Sequence, residues 1–200
     1  MRSTTYHRLD NLYKKYNGYI STRELRHEGF SNCQIACLTE ENYLERICHG
    51  HYWMMQCGLE KPKDYKCIEV CLGNPRAVIA MKSACFYQGL TETEPEVLAV
   101  ATERTDRSKI NMRFPVERHY FSGSNFHAGM KTVKTEFGSY HIYDVERSIC
   151  DILRLGDGTS PEVFLSEISP HLSQNKEQYE RILKYAEMLR LSTSLSLFRK

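Results

Sequence analysis

The sequence predicts an α+β fold in two parts, a group of three short helices closed by a strand hairpin and then a mixed α/β domain that ends in helices. Three observations carry that expectation. Ser21-Thr-Arg-Glu24 and Ser31-Asn-Cys-Gln34 have the spacing of capping boxes and mark two helix starts about ten residues apart. Leu44–Cys48 and His51–Met55 are strand-like runs joined by His49-Gly50, a two-residue turn whose glycine tolerates positive φ. Beyond Gly58-Leu-Glu-Lys-Pro-Lys-Asp64, where Gly, Pro and charge read as a linker, strand and helix patterns alternate. The expected division is residues 1–57 as the first domain, 58–66 as the linker and 67–200 as the second domain.

Each element follows from local pattern. Tyr6, Leu9, Leu12, Tyr13 and Tyr16 recur at three and four residue spacing and predict an amphipathic first helix ending at Asn17-Gly18. The two capped helices follow, with Gly29 at the sharp turn between them and Leu25, Phe30, Ile35 and Leu38 as their packing faces. That pair is a helix-turn-helix pattern, and with the hairpin it makes a winged helix. In the second domain Cys67–Leu72 reads as a strand, and Arg76–Gln88, apolar on nearly all sides, as a buried helix stopped by Gly89. Strands are expected at Val97–Thr102, Val116–Phe121, Met130–Phe137 and Tyr140–Tyr143. Asp144 caps a helix whose inner face is Val145, Ile149, Ile152 and Leu153, and Ser160-Pro161 starts another. Tyr179, Ile182, Leu183, Ala186 and Leu189 form the stripe of a last long helix.

Composition narrows the function classes. The 200 residues are 41% hydrophobic and 26% charged, which excludes disorder for most of the chain, and 27 basic against 25 acidic residues leave a net charge of +2. Any basic surface is therefore local, because a dedicated nucleic-acid binder usually has a clear basic excess. Residues 1–57 hold seven basic and six acidic residues, scarcely more basic than the whole. Apolar stretches such as Ala77–Met81 fall far short of the roughly 18 residues of a membrane span, and no apolar leader core follows Met1. Cysteines at 33, 37, 48, 57, 67, 71, 85 and 150 read as reduced thiols, so a cytoplasmic location and no membrane partner are expected.

Enzyme signatures are missing: there is no phosphate-binding glycine loop, no Gly-x-Ser-x-Gly and no His-Glu-x-x-His. Gly123-Ser124 is followed by no acidic residue before Glu136, which argues against nucleotidyl transfer. A nuclease fused to the winged helix would need Asp and Glu-x-Lys on adjacent strands, and neither Glu136 nor Glu69 has the lysine. Cys33, Cys37, Cys48, His49 and His51 lack zinc-finger spacing, so buried or half-buried thiols are expected rather than a metal, and no cofactor. Glu146, Arg147, Asp151 and Arg154 form a charged cluster in which Arg147 and Asp151 lie one turn apart, read as a structural or partner-binding group.

The winged helix carries the functional expectation. Its recognition helix offers Ser31, Asn32, Gln34 and Cys37 to base edges once Ile35 and Leu38 point inward, and Asn and Gln can bond adenine bidentately. Thr22, Arg23 and Arg26 on the preceding helix, with Arg46, His49 and His51 on the wing, are candidates for phosphate contact. A second candidate anion-binding patch is Arg104, Arg107, Lys109, Arg113, Arg118, Lys131 and Lys134, opposed by only Glu103, Asp106 and Glu117, a local excess of four.

Gly18-Tyr-Ile-Ser-Thr-Arg-Glu-Leu25, Gly29-Phe-Ser31 and Leu44-Glu-Arg-Ile-Cys-His-Gly-His-Tyr52 resemble the N-terminal domain of AbiEi-type antitoxins of abortive-infection systems. Ser83-Ala-Cys-Phe-Tyr-Gln-Gly-Leu90 and Tyr143-Asp-Val-Glu-Arg-Ser-Ile-Cys-Asp-Ile-Leu153 resemble the best-marked stretches of that family's C-terminal region, with Gln88 where members often carry His. The resemblance implies a non-enzymatic antitoxin of a type IV toxin–antitoxin pair. Such a protein represses its operon by binding double-stranded operator DNA with inverted repeats. It also neutralises a nucleotidyltransferase toxin without a stable complex. The alternatives are a winged-helix regulator with a ligand-sensing domain and the nuclease fusion.

Overall fold

The computed structural model describes residues 3–55, 58, 60–156, 158, 160–169 and 176–191. The chain is mixed α+β with two sheets and divides into two compact units. One runs through Pro75 and takes in Lys109–Arg113 and Lys134–Tyr140; the other holds Arg76–Ser108, Phe114–Val133 and the chain from His141 on.

In the first unit, α1 (Ser3–Tyr16) is followed by β1 (Tyr19–Ser21), α2 (Thr22–His27), α3 (Asn32–Glu40), β2 (Leu44–Cys48), β3 (His51–Met54) and α4 (Tyr65–Gly73). Both capping boxes form: Ser21 and Ser31 each accept the N3 amide while Glu24 and Gln34 reach back to the cap amide. Leu25, Phe30, Ile35 and Leu38 are buried against Leu9, Leu12 and Tyr13 of α1. Full burial of each such aliphatic side chain contributes about 1.5–3 kcal/mol. The strands form an antiparallel sheet of order β1-β3-β2, with β1, too short for a sequence pattern, paired through Tyr19 to Trp53. Gly18, at φ +87, lies so close to Trp53 that a Cβ would come within 2.3 Å of the indole ring.

Cys67–Leu72, expected as a strand, is helix α4. Cys67, Ile68, Glu69, Val70 and Cys71 are all buried, and a short run buried on several sides has no periodicity to separate the two forms. α4 belongs with the first unit, which therefore continues past the expected boundary at 57. The segment expected as a linker is tied down: Lys61 Nζ lies 2.7 Å from Glu69 and 2.9 Å from Glu45. Tyr19 donates to Glu69 at 3.1 Å.

The second unit comprises β4 (Val78–Ile79), α5 (Met81–Tyr87), β5 (Leu98–Glu103), β6 (Val116–Phe121), α6 (Gly123–Phe126), β7 (Met130–Thr135), β8 (Gly138–Tyr143), α7 (Val145–Leu155), α8 (Pro161–Ile168) and α9 (Lys176–Met188), the residues 134–140 of the β7–β8 hairpin being grouped with the first unit. The five-stranded sheet has the order β6-β5-β4-β8-β7, with β4 antiparallel to β5 and parallel to β8. The helix expected over Arg76–Gln88 is thus split. Val78 and Ile79 are fully buried between two neighbouring strands, where an apolar run needs no alternation, and only Met81–Tyr87 is helical. The predicted starts at Asp144 and Ser160 are real caps, whose side chains accept from Arg147 N and Val163 N.

Candidate nucleic-acid interface

The first unit carries an open groove of about 510 Å³ between α3 and the β2–β3 hairpin. Asn32, Ile35, Ala36, Thr39 and Glu40 line it from α3, Thr22 from α2, and Arg46, His49, Gly50 and Tyr52 from the hairpin. The hairpin tip is fixed to α2 by the Thr22 amide, which donates to Gly50 O at 2.8 Å. A register shift between Arg46 and Cys48 re-aims the strand there, and Arg46 Nη2 lies 3.5 Å from His49 Nδ1.

Of the residues singled out in the sequence, Thr22, Asn32, Arg46 and His49 meet in this groove. Arg23 and Arg26 are exposed on α2, and Ser31 is exposed at its cap. Gln34 and Cys37 do not line it. Gln34 Oε1 accepts from Ser31 N at 2.9 Å, and the Cys37 thiol donates to Glu41 at 3.4 Å, a bond that raises its pKa. His51 is turned toward Cys48, its Nδ1 3.6 Å from Sγ. The groove positions not singled out from sequence as site residues are Ile35, Ala36, Thr39, Glu40, Gly50 and Tyr52. The signal was present, because counting four and seven residues on from Asn32 along one helix face reaches Ala36 and Thr39.

The residues of the second candidate patch are divided between the two units. Lys109, Arg113 and Lys134 fall in the first unit, and Arg104, Arg107, Arg118 and Lys131 in the second. Arg118 is a structural side chain, donating to Thr102 Oγ1 at 2.6 Å and to the Asp106 carbonyl at 2.9 Å, with Asp106 Oδ2 at 3.4 Å.

Glu146, Arg147 and Asp151 are buried rather than a surface cluster. Arg147 Nε bonds Asp151 at 2.7 Å, and Nη1 donates to the carbonyls of Asn125 and Ala128 at 2.7 and 2.9 Å. The guanidinium also lies 4.5 Å from the centre of the Tyr143 ring. Arg154 holds the other Asp151 oxygen at 2.8 Å, and Arg181 pairs with Glu146. Burial pushes the Asp151 carboxyl upward against the pull of both arginines. Gln88 fills a structural place as well, donating to Tyr143 O at 2.8 Å.

Among the described residues no three His, Cys, Asp or Glu side chains are grouped to hold a metal ion, and no helix is long and apolar enough to cross a membrane. None of the described cysteines, Cys33, Cys37, Cys48, Cys67, Cys71, Cys85 and Cys150, is in a disulfide; Cys57 lies outside the described residues.

No protein-family model and no curated protein matches the chain. Among solved structures, the crystal structure of RV2827C protein from Mycobacterium tuberculosis is similar in fold, with a TM-score of 0.62 at 13% identity over 90% of this chain and 69% of that one.

Proposed function

We propose that the first unit is a winged helix that binds double-stranded operator DNA with inverted repeats, and that the chain is a non-enzymatic cytoplasmic antitoxin of the AbiEi type. One observation carries the DNA-binding half: the groove joins the outward face of α3 at Asn32, Ala36 and Thr39 to a hairpin bearing Arg46 and His49. An exposed helix inserts into a major groove while a neighbouring hairpin contacts the backbone. Asn32 suits adenine, and the Ala36 methyl suits the methyl of thymine.

Glu40 in the same groove repels phosphate, so affinity depends on base contacts and on paired half-sites more than on charge. The antitoxin half rests on the resemblance of Ser83–Leu90 and Tyr143–Leu153 to the family's C-terminal stretches. Its functional partner is a nucleotidyltransferase toxin, met without a stable complex.

Band shifts with DNA from upstream of the gene, against random duplex of equal length, test the first half. Tighter binding of the upstream DNA supports the reading, and equal binding or none sinks it. The second half is tested by co-expression with a neighbouring nucleotidyltransferase. Growth must be restored by the full chain, and failure at matched expression defeats the antitoxin assignment.

A further inference from the structure

The first unit has a second groove, of about 500 Å³, which shares Arg46 and His49 with the first. Arg46, Ile47, Cys48 and His49 line one side of it, and Lys109, Asn111, Met112 and Arg113 the other. The second group comes from a distant stretch of chain that packs into the first unit. Met112 packs close to Gly73 at the end of α4, where a Cβ would come within 2.5 Å of Met112 Cε. Arg113 is tied to β2 through Glu45 at 3.1 Å while its side chain stays 66% exposed. Residues 109–113 form a strap beside the hairpin, with Met112 packed near Gly73 and Arg113 paired with Glu45.

The charged side chains lining this second groove are Arg46, Lys109 and Arg113, of which Arg113 is paired with Glu45. Arg46 and His49 line both grooves, so the basic lining continues from the base-reading face round the hairpin to Lys109 and Arg113.

From this continuity we infer that Lys109 and Arg113 extend the DNA-binding surface, holding the duplex backbone beside the wing and adding affinity without sequence preference. The inference rests on the DNA-binding reading above. Lys109 is an exposed ammonium able to neutralise one phosphate. Arg113 has five donors, so it can keep Glu45 and still bond a phosphate oxygen.

The test is a fluorescence titration of the full chain with a duplex of about 30 base pairs from upstream of the gene, and with a scrambled duplex, across a salt series. Lys109→Gln is expected to reduce the magnitude of the slope of log affinity against log salt by about 1, and Lys109→Gln with Arg113→Gln by about 2. Both duplexes must lose affinity by the same factor. Lys109→Arg should bind like the parent, which separates charge from misfolding. Arg104→Gln with Arg107→Gln removes the same charge from the second unit and should leave the slope unchanged.

Lysine acetylation of the unaltered protein gives an independent reading, since Lys109 should be protected by the duplex. An unchanged slope in the double variant, an equal loss in the Arg104/Arg107 control, or an unprotected Lys109 overturns the inference while Arg46→Ala still tests the winged helix. Absence of binding by the unaltered chain to any DNA duplex, or binding to RNA duplex alone, removes the DNA-binding reading and this inference with it.

Discussion

Arg147 and Asp151 form an ion pair 2.7 Å long, one helical turn apart on α7, with neither side chain more than 1% exposed. Both of the carboxylate's oxygens and three guanidinium bonds are committed there. Removing one partner of a buried pair leaves an uncompensated charge, at a cost of about 3–5 kcal/mol. Asp151→Asn, nearly isosteric, is therefore expected to lower the second unit's unfolding free energy by that amount in urea titrations. A loss below about 1 kcal/mol, the range of exposed pairs, would show that the cluster does not hold this unit together.

Gly129 is packed into the same cluster. It has φ +78, and a Cβ there would lie 2.9 Å from both Arg147 Cβ and Tyr185 Oη and 3.2 Å from Asp144 Oδ1. Gly129→Ala combines left-handed strain, of order 1–3 kcal/mol, with displacement of a helix cap. It should destabilise the second unit clearly more than Gly123→Ala, whose added methyl meets only Glu103 Oε1 at 3.7 Å. Equal thermal midpoints for the two variants would refute this role for Gly129.

Much of this architecture was legible because side-chain spacing reports local geometry. Ser21 and Ser31 mark their helices through bonds made within four residues, and Val116–Phe121 is a strand with the predicted limits. What could not be read depended on partners distant in sequence. Val78-Ile79 is strand because β5 and β8 flank it, and Cys67–Cys71 is helix although its burial leaves no apolar stripe. The charge cluster was visible at Glu146, Arg147 and Asp151, but not that Asn125 and Ala128 supply carbonyls to it. The strap carrying Lys109 and Arg113 is the same kind of case, since the packing of Met112 near Gly73 is tertiary.

Glu28 and Glu41 tie α1 to the helix pair, and both carboxyls are held below the ordinary glutamate range. For Glu28 the main cause is the bond from Lys15 at 2.6 Å, then that from Tyr16; for Glu41 it is the bond from Tyr6 at 2.7 Å. A carboxyl whose folded value is depressed contributes stability above its unfolded value, near 4.3, and loses it as pH falls through the folded value. The first unit should therefore weaken as pH drops below about 4.3. Glu28→Gln with Glu41→Gln should flatten this acid dependence in thermal melts followed through the Trp53 signal. An unchanged dependence would assign the acid sensitivity to other groups.

Asn32 and Gln34 are two residues apart on α3 and have different work. Asn32 is exposed and lines the groove, whereas Gln34 Oε1 accepts from the Ser31 amide at 2.9 Å. Under the DNA-binding reading, Asn32→Ala should lower affinity for the upstream duplex by about 1–3 kcal/mol and leave random-duplex affinity unchanged, the loss belonging to one bidentate base contact. Gln34→Ala should keep the ratio between the two duplexes and instead lower stability, because it removes the acceptor for the Ser31 amide in the capping box. Titrations on both duplexes and a melt of each variant separate the roles. If Gln34→Ala erased sequence preference at unchanged stability, the carboxamide would have to leave Ser31 for a base in the complex, and the groove's base-reading face would shift toward Cys37.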